Sequence, residues 1–166
     1  MRIFLVGFMG CGKTSLGKRL ARKINYSFID IDASVEEITK RTIDDIISMD
    51  GEEVFRKIER EALLSTREME NVVISTGGGT PCYFDNMQQI NKMGTSVYLK
   101  MSYLSLAKRL DDSDNKRPLL KNFSGQKLVD KVKIMLSERE KYYCQAACVI
   151  KGENAKPNHI VSLVFG

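Results

Sequence analysis

The chain has 166 residues, the size of one domain with enough sequence to bury a substantial core. Its hydrophobic fraction of 43% is ordinary for a globular protein, and no apolar run is long enough to span a membrane. The net charge of +5 suits an anionic partner, but basic and acidic residues are interspersed and no aromatic-plus-basic module is present, so a small anion fits better than a nucleic acid.

Arg2–Val6 is β-branched and aromatic and predicts a short buried strand that ends at Gly7. An arginine ahead of an apolar stretch could also open a secretory leader. Here no small-residue cleavage site follows, and the run passes directly into Gly12, Lys13 and Thr14. Gly7, Gly12, Lys13 and Thr14 satisfy Gly-x-x-x-x-Gly-Lys-Thr. Lys13–Ile24 predicts a helix, since Leu16, Leu20 and Ile24 recur every four residues with basic residues on the other faces. The glycine loop thus lies between a strand and a helix, where its backbone N–H groups and the helix's positive end can face phosphate. Lys13 supplies a point charge and Thr14 a hydroxyl for Mg²⁺. Cys11, between Gly10 and Gly12, has two readings: a thiolate favoured by the helix end and the Lys13 ammonium, or a small apolar core filler.

Residues 26–32, YSFIDID, predict a second strand with two carboxylates at its end. Strand alternation would aim Asp30 and Asp32 at the same side, where they require a cation or a hydroxyl-rich ligand. A helix cap at Asp32 beside a solvated acid is the alternative. Opposite a phosphate loop, one acid for a metal-bound water and one for an acceptor hydroxyl is favoured. Segments 34–41 and 42–49 are predicted helical, broken at Asp50 and Gly51, and 52–69 is a long helix with Val54, Ile58, Ala62 and Ser65 on one side. Arg56 on that helix can pair with Glu52 and Glu59 at the surface, or grip a carboxylate with its fork. A third strand in 71–79 runs into Gly77, Gly78 and Gly79, whose entropic cost a ligand pressed against the backbone would explain.

A helix over Asn86–Met93, a strand over Thr95–Lys100 and a helix over 104–110 follow. Segment 111–125 is polar and turn-rich and predicts a mobile loop. It carries Arg117, which can close over phosphates or stay solvated. In the helix predicted over 126–147, Arg139 interrupts a stripe of Leu128, Val132, Met135, Tyr142 and Ala146. A buried arginine either pairs with an internal acid or reaches a substrate anion. Cys148–Lys151 is a last strand, Pro157 opens a final helix, and His159 sits on that helix's surface. Cys11, Cys82, Cys144 and Cys148 contain no Cys-x-x-Cys pair and no histidine completes a metal site, so free thiols in a reducing, cytoplasmic compartment are expected. Strands alternating with helices predict one α/β domain with a parallel sheet covered on both faces and two inserted polar segments.

Taken in order, "GFMGCGKTSLG", "FIDIDASVE", "EEVFRKIERE", "VISTGGG", "KRPLL" and "SEREKYY" make the chain resemble the shikimate kinases along essentially its whole length. A phosphate loop alone is shared by many families; its combination with Asp-x-Asp, Phe-Arg-x-x-Glu, the triple glycine and Arg-Pro-Leu-Leu is far more selective. The resemblance implies a P-loop kinase with a five-stranded parallel sheet in the order 2-3-1-4-5, flanked by helices, spanning 1–166 as one domain. It implies a substrate-binding segment over about 32–60 and a lid over about 111–125. The implied reaction is phosphorylation of the 3-hydroxyl of shikimate by ATP with Mg²⁺, on the pathway to chorismate and the aromatic amino acids. Carried over by position, Gly10, Cys11, Gly12, Lys13, Thr14 and Ser15 hold the nucleotide, with Arg117 from the lid on its phosphates. Thr14 and Asp30 serve the metal, Asp30 through a water. Asp32 contacts the shikimate hydroxyls as a base, and Lys13 and Arg117 complete the catalytic set. Arg56, Gly77, Gly78, Gly79 and Arg139 hold the substrate, the two arginines at its carboxylate. Arg109 and Pro157 match the adenine contacts only approximately. The expected partner is shikimate alone, with no nucleic acid or membrane, and the expected state is a monomer. A nucleoside-monophosphate or gluconate kinase is a second enzyme reading, since two inward arginines hold a phosphate as well. A non-catalytic nucleotide-dependent module is disfavoured by intact Lys13, Thr14, Asp32 and Arg117.

Overall fold

A computed structural model describes residues 1–113, 120 and 122–166. Five strands form one sheet: β1 (Arg2–Val6), β2 (Ser27–Asp30), β3 (Val72–Ser75), β4 (Thr95–Lys100) and β5 (Cys148–Lys151). Every pairing is parallel, and the order is β2-β3-β1-β4-β5, as the resemblance implied. Parallel pairing requires a crossover between strands, and helices supply each one. They are α1 (Lys13–Ile24), α2 (Ile31–Thr39), α3 (Ile43–Asp50), α4 (Glu52–Ser65), α5 (Asn86–Met93), α6 (Tyr103–Asp111), α7 (Gly125–Tyr143) and α8 (Pro157–Phe165). Covering helices explain why Ile3, Phe4, Leu5 and Val6 of the central strand are all fully buried, without the alternation of a half-exposed strand. Because β1 pairs with β3 on one side and β4 on the other, the chain changes direction across it. Ligands of open parallel sheets bind beyond the strand ends at such a point.

Several predicted boundaries shift, each for a local reason. Strand β2 stops at Asp30 rather than at residue 32, because the Asp30 carboxylate accepts from the Asp32 and Ala33 N–H groups and starts α2 at once. Helix α4 ends at Ser65, and Thr66–Glu68 tightens into a 3₁₀ turn instead of continuing to residue 69. Its inward face is Phe55, Arg56, Glu59, Ala62 and Leu63, whereas Val54 is exposed. The inward stripe of α7 passes through Leu136 and Tyr143 rather than Tyr142, and Ala146 lies beyond the helix end. His159 is exposed on α8, where its Nδ1 accepts from the Lys156 N–H at 3.4 Å. Among the described residues, no helix is long and apolar enough to cross a membrane.

Candidate active site

A cleft of about 790 Å³ opens beyond the ends of β1, β2 and β3 and is lined, among others, by Lys13, Thr14, Asp30, Asp32, Arg56 and Arg139. At one end is the glycine loop. Gly12 caps α1 with φ 93°, a left-handed backbone, and provides no side-chain cap. The first N–H groups of α1 are therefore left open toward the cleft. Lys13 is only 7% exposed, and its ammonium folds back to donate to the Gly7 carbonyl at 2.7 Å and the Phe8 carbonyl at 3.0 Å. Arg109 reaches over the loop from α6, its Nη1 donating to the Cys11 carbonyl at 3.4 Å. Cys11 itself is 2% exposed, with its thiol turned inward beneath Gly7. Its Sγ is 3.6 Å from the Lys13 ammonium, but solvent cannot reach it, so the core-filler reading is the one the structure favours.

Next to the loop stand the two carboxylates. Thr14 Oγ1 donates to Asp30 Oδ2 at 2.6 Å and lies 3.5 Å from the Ser75 hydroxyl. Asp30 uses its other oxygen to cap α2, so Asp32 belongs to that helix's first turn and not to a strand. Both acids line the cleft, but a strand-to-helix turn brings them there instead of strand alternation. Thr14, Asp30 and Ser75 form a set of hard oxygens suited to Mg²⁺. No group of three His, Cys, Asp or Glu that could hold a metal occurs among the described residues, so such a cation would also need phosphate oxygens and water.

At the far end the two arginines differ sharply. Arg56 is 6% exposed, and three of its five N–H groups already donate to carboxylates. Its Nε and Nη2 donate to Glu52 Oε1 at 3.2 and 3.0 Å, and its Nη1 donates to Glu59 Oε2 at 2.8 Å. The Phe55 and Tyr83 rings lie 4.8 and 4.1 Å from its Cζ. Burial works to lower the Arg56 pKa, but Glu59, Tyr83 and Glu52 together outweigh it and the value is raised. Burial likewise tends to raise Glu52, while the Tyr83 hydroxyl and Arg56 hold it below its ordinary value. Pairing with Glu59 is not a surface contact, since that carboxylate is 1% exposed and also accepts from the Thr80 hydroxyl at 2.6 Å. Arg139, by contrast, lies 5.7 Å over the Phe8 ring, and its buried Nη1 has no hydrogen-bond partner among the described residues.

Between the two ends runs the triple glycine, and its requirement comes from the protein itself rather than from a ligand. A Cβ on Gly77 would sit 2.6 Å from oxygens of both Asp32 and Glu59, one on Gly78 3.0 Å from the Met9 nitrogen, and one on Gly79 2.7 Å from the Arg56 guanidinium. No side chain fits where three elements close on one backbone.

The sequence profile of the shikimate kinases matches residues 9–165. A shikimate kinase of Parabacteroides distasonis is 46% identical over 152 residues, covering 92% of this chain and 88% of that one. The chain belongs to the shikimate kinase family. A shikimate kinase structure from Bacteroides thetaiotaomicron superposes with a TM-score of 0.94 at 37% identity, over 100% of this chain and 99% of that one. Another, from Acinetobacter baumannii in complex with shikimate, gives 0.87 at 29% identity, over 99% of this chain and 90% of that one.

Within this shikimate kinase fold, the cleft gathers Gly10, Gly12, Lys13, Thr14, Ser15, Asp30, Asp32, Arg56, Gly78, Gly79, Arg109 and Arg139. Cys11 turns away from it, Gly77 packs behind Asp32, and Pro157 is the first residue of α8, outside the lining set. Arg117 and the middle of the expected lid, residues 114–119 and 121, lie outside the described residues. Sequence reasoning passed over Thr80, Tyr83 and Tyr143. Thr80 and Tyr83 carried no periodic signal, because they follow a glycine loop. Tyr143 was available as the residue one turn beyond Arg139, but Tyr142 beside it claimed the stripe.

Proposed function

We propose that the two ends of the cleft divide the work of one phosphoryl transfer, from ATP at the glycine loop to an acceptor held by the arginines. The protein is a shikimate kinase, a phosphotransferase that uses ATP to phosphorylate the 3-hydroxyl of shikimate in the shikimate pathway. The residue roles below are our inference. The open N–H groups at Gly12 to Ser15 cradle the phosphates, and Lys13 exchanges its loop carbonyls for their oxygens. Arg109, exposed above Gly12, lies on the nucleotide side. Thr14 and Asp30 would hold Mg²⁺ directly or through water. When bound, that cation neutralises charge on the phosphate oxygens.

Asp32 faces the glycine segment beside the acceptor and takes the proton of the reacting hydroxyl as it attacks. Arg139 and Arg56 hold the acceptor's carboxylate. The observation that carries this reading is the buried Arg139 Nη1, a charged donor with no hydrogen-bond partner among the described residues, on a side chain that lines the cleft. The full chain acts as one domain with a substrate-binding segment over about 32–60 and a lid over about 111–125. We also infer a monomer, and a cytoplasmic enzyme without nucleic-acid or membrane partners. ADP release should depend on shikimate and be absent with gluconate or nucleoside monophosphates. Turnover of either of those in place of shikimate would overturn the assignment.

A further inference from the structure

Arg139 and Tyr143 lie one turn apart on α7 and both approach the glycine segment after β3. Tyr143 is fully buried, with its ring against Tyr98 at a centroid distance of 5.2 Å. Its hydroxyl donates to the Gly78 carbonyl at 2.5 Å. Burial pushes this phenol well above its ordinary value, and the Arg139 guanidinium offsets only part of that, so the hydroxyl remains a donor at working pH. The Gly78 carbonyl shares a peptide unit with the Gly79 N–H, so a hydrogen bond to the one fixes the plane and polarity of the other.

That peptide plane sits at a junction. Gly78 packs on Met9 of the glycine loop, Gly79 packs on the Arg56 guanidinium, and both line the cleft. On the α4 side the segment is anchored by Thr80, whose hydroxyl donates to Glu59 at 2.6 Å while Glu59 also holds Arg56. On the α7 side the Tyr143 hydroxyl is the hydrogen bond that joins the helix to the same segment. Arg139 keeps its Nη1 unpaired among the described residues, and its guanidinium acts on the Tyr143 phenol one turn away.

We propose that Tyr143 is a positioning residue for the acceptor substrate: its bond to Gly78 sets α7, and with it Arg139, in register with the Gly78–Gly79 backbone and Arg56. The three carboxylate-binding elements then form one rigid site before substrate arrives. This role rests on the reading of Arg56 and Arg139 as an acceptor clamp. Tyr98 provides an internal control. It is as deeply buried and shares the same ring contact, but its hydroxyl has no hydrogen-bond partner among the described residues.

The test compares Tyr143→Phe and Tyr98→Phe with the wild type by coupled ADP release, varying shikimate and Mg-ATP separately, with thermal melts to verify folding. Loss of a neutral hydrogen bond that positions a binding group should raise the shikimate KM of Tyr143→Phe by about 3- to 10-fold. The ATP KM should hold, and Tyr98→Phe should change neither constant. An unchanged shikimate KM in folded Tyr143→Phe, an equal rise in both constants, or the same change in Tyr98→Phe would overturn the role. If Tyr143→Phe does not fold, wild-type protein labelled with carbonyl-¹³C glycine decides: the Gly78 carbonyl should show the downfield shift of a hydrogen-bonded acceptor before shikimate is added, and an unbonded shift overturns the proposal. A wild type without shikimate-dependent ADP release would overturn the substrate assignment and this role together. An active wild type with an indifferent Tyr143→Phe overturns this role alone.

Discussion

Replacing each clamp arginine by methionine should affect stability in opposite directions while harming substrate binding in both cases. In Arg56→Met the Glu59 carboxylate, 1% exposed, loses the guanidinium 2.8 Å away. Breaking a buried ion pair from one side costs about 3–5 kcal/mol. At about 2–4 °C per kcal/mol for a chain of this size, the melting temperature should fall by about 6–20 °C. Arg139→Met instead removes a buried donor that has no partner. An unsatisfied charged donor costs on the order of 1–3 kcal/mol, so the melting temperature should hold or rise by several degrees. Methionine keeps much of the apolar stem, which limits any packing loss against Phe8. Both variants should lose about 2–5 kcal/mol of acceptor binding, seen as an increase of about 30-fold or more in the shikimate KM with the ATP KM unchanged. Differential scanning fluorimetry and steady-state kinetics on the two proteins read all four quantities. Equal loss of stability in both variants would show that Arg139 is a structural partner and not a free binding group. Unchanged shikimate KM in both would remove the clamp altogether.

Asp32→Asn keeps the shape of the first turn of α2 but removes the base, so kcat should fall on the order of 10²–10⁴-fold with nucleotide affinity retained; near-normal turnover would assign Asp32 to positioning only. With iodoacetamide and peptide mass spectrometry, exposed Cys144 should react first. Cys82, whose thiol burial pushes up to about 11, should lag, and Cys11 should stay unmodified in the native protein. Rapid modification of Cys11 would show that the loop opens its core-facing side. Acid stability should reflect Glu52: burial opposes its charge, but Tyr83 and Arg56 hold the folded value below the ordinary 4.5. Its contribution is therefore complete above that value and lost as pH falls through the lower folded one, and Glu52→Gln should flatten that part of a stability-versus-pH curve.

The sheet could be read ahead of the structure because each strand carries its own evidence. A β-branched run such as Val72–Ser75 or Thr95–Lys100 is bounded by glycine or polar residues, and parallel pairing follows from the helices between them. Order came from the family resemblance, since no local feature of β5 reveals that it pairs with β4. The errors fall where side chains override pattern. Asp30 ends its strand two residues early because a carboxylate that caps a helix competes with the ladder. Apolar periodicity misjudged α4 because its inward face is partly charged: Arg56 and Glu59 occupy positions a hydrophobic count leaves to solvent.

That charged inward face also explains why the candidate site was only half visible from its residues. Motif spacing identifies groups that meet a ligand, such as Lys13, Thr14 and Asp32, but it is silent about groups that meet one another. Glu59 contacts Arg56, Thr80 and the space a Gly77 side chain would fill, three neighbours from three sequence segments. The glycines look like a ligand's imprint when read alone, because the groups that exclude a Cβ there come from α2, α4 and the backbone of the loop after β1. A polar network of this kind has a physical consequence that residue-by-residue reading misses. Every member is buried and bonded to the next, so displacing one leaves a neighbour unsatisfied in a low-dielectric interior. Arg139 keeps a buried nitrogen unpaired among the described residues, which is why its loss should cost the fold less than the loss of Arg56.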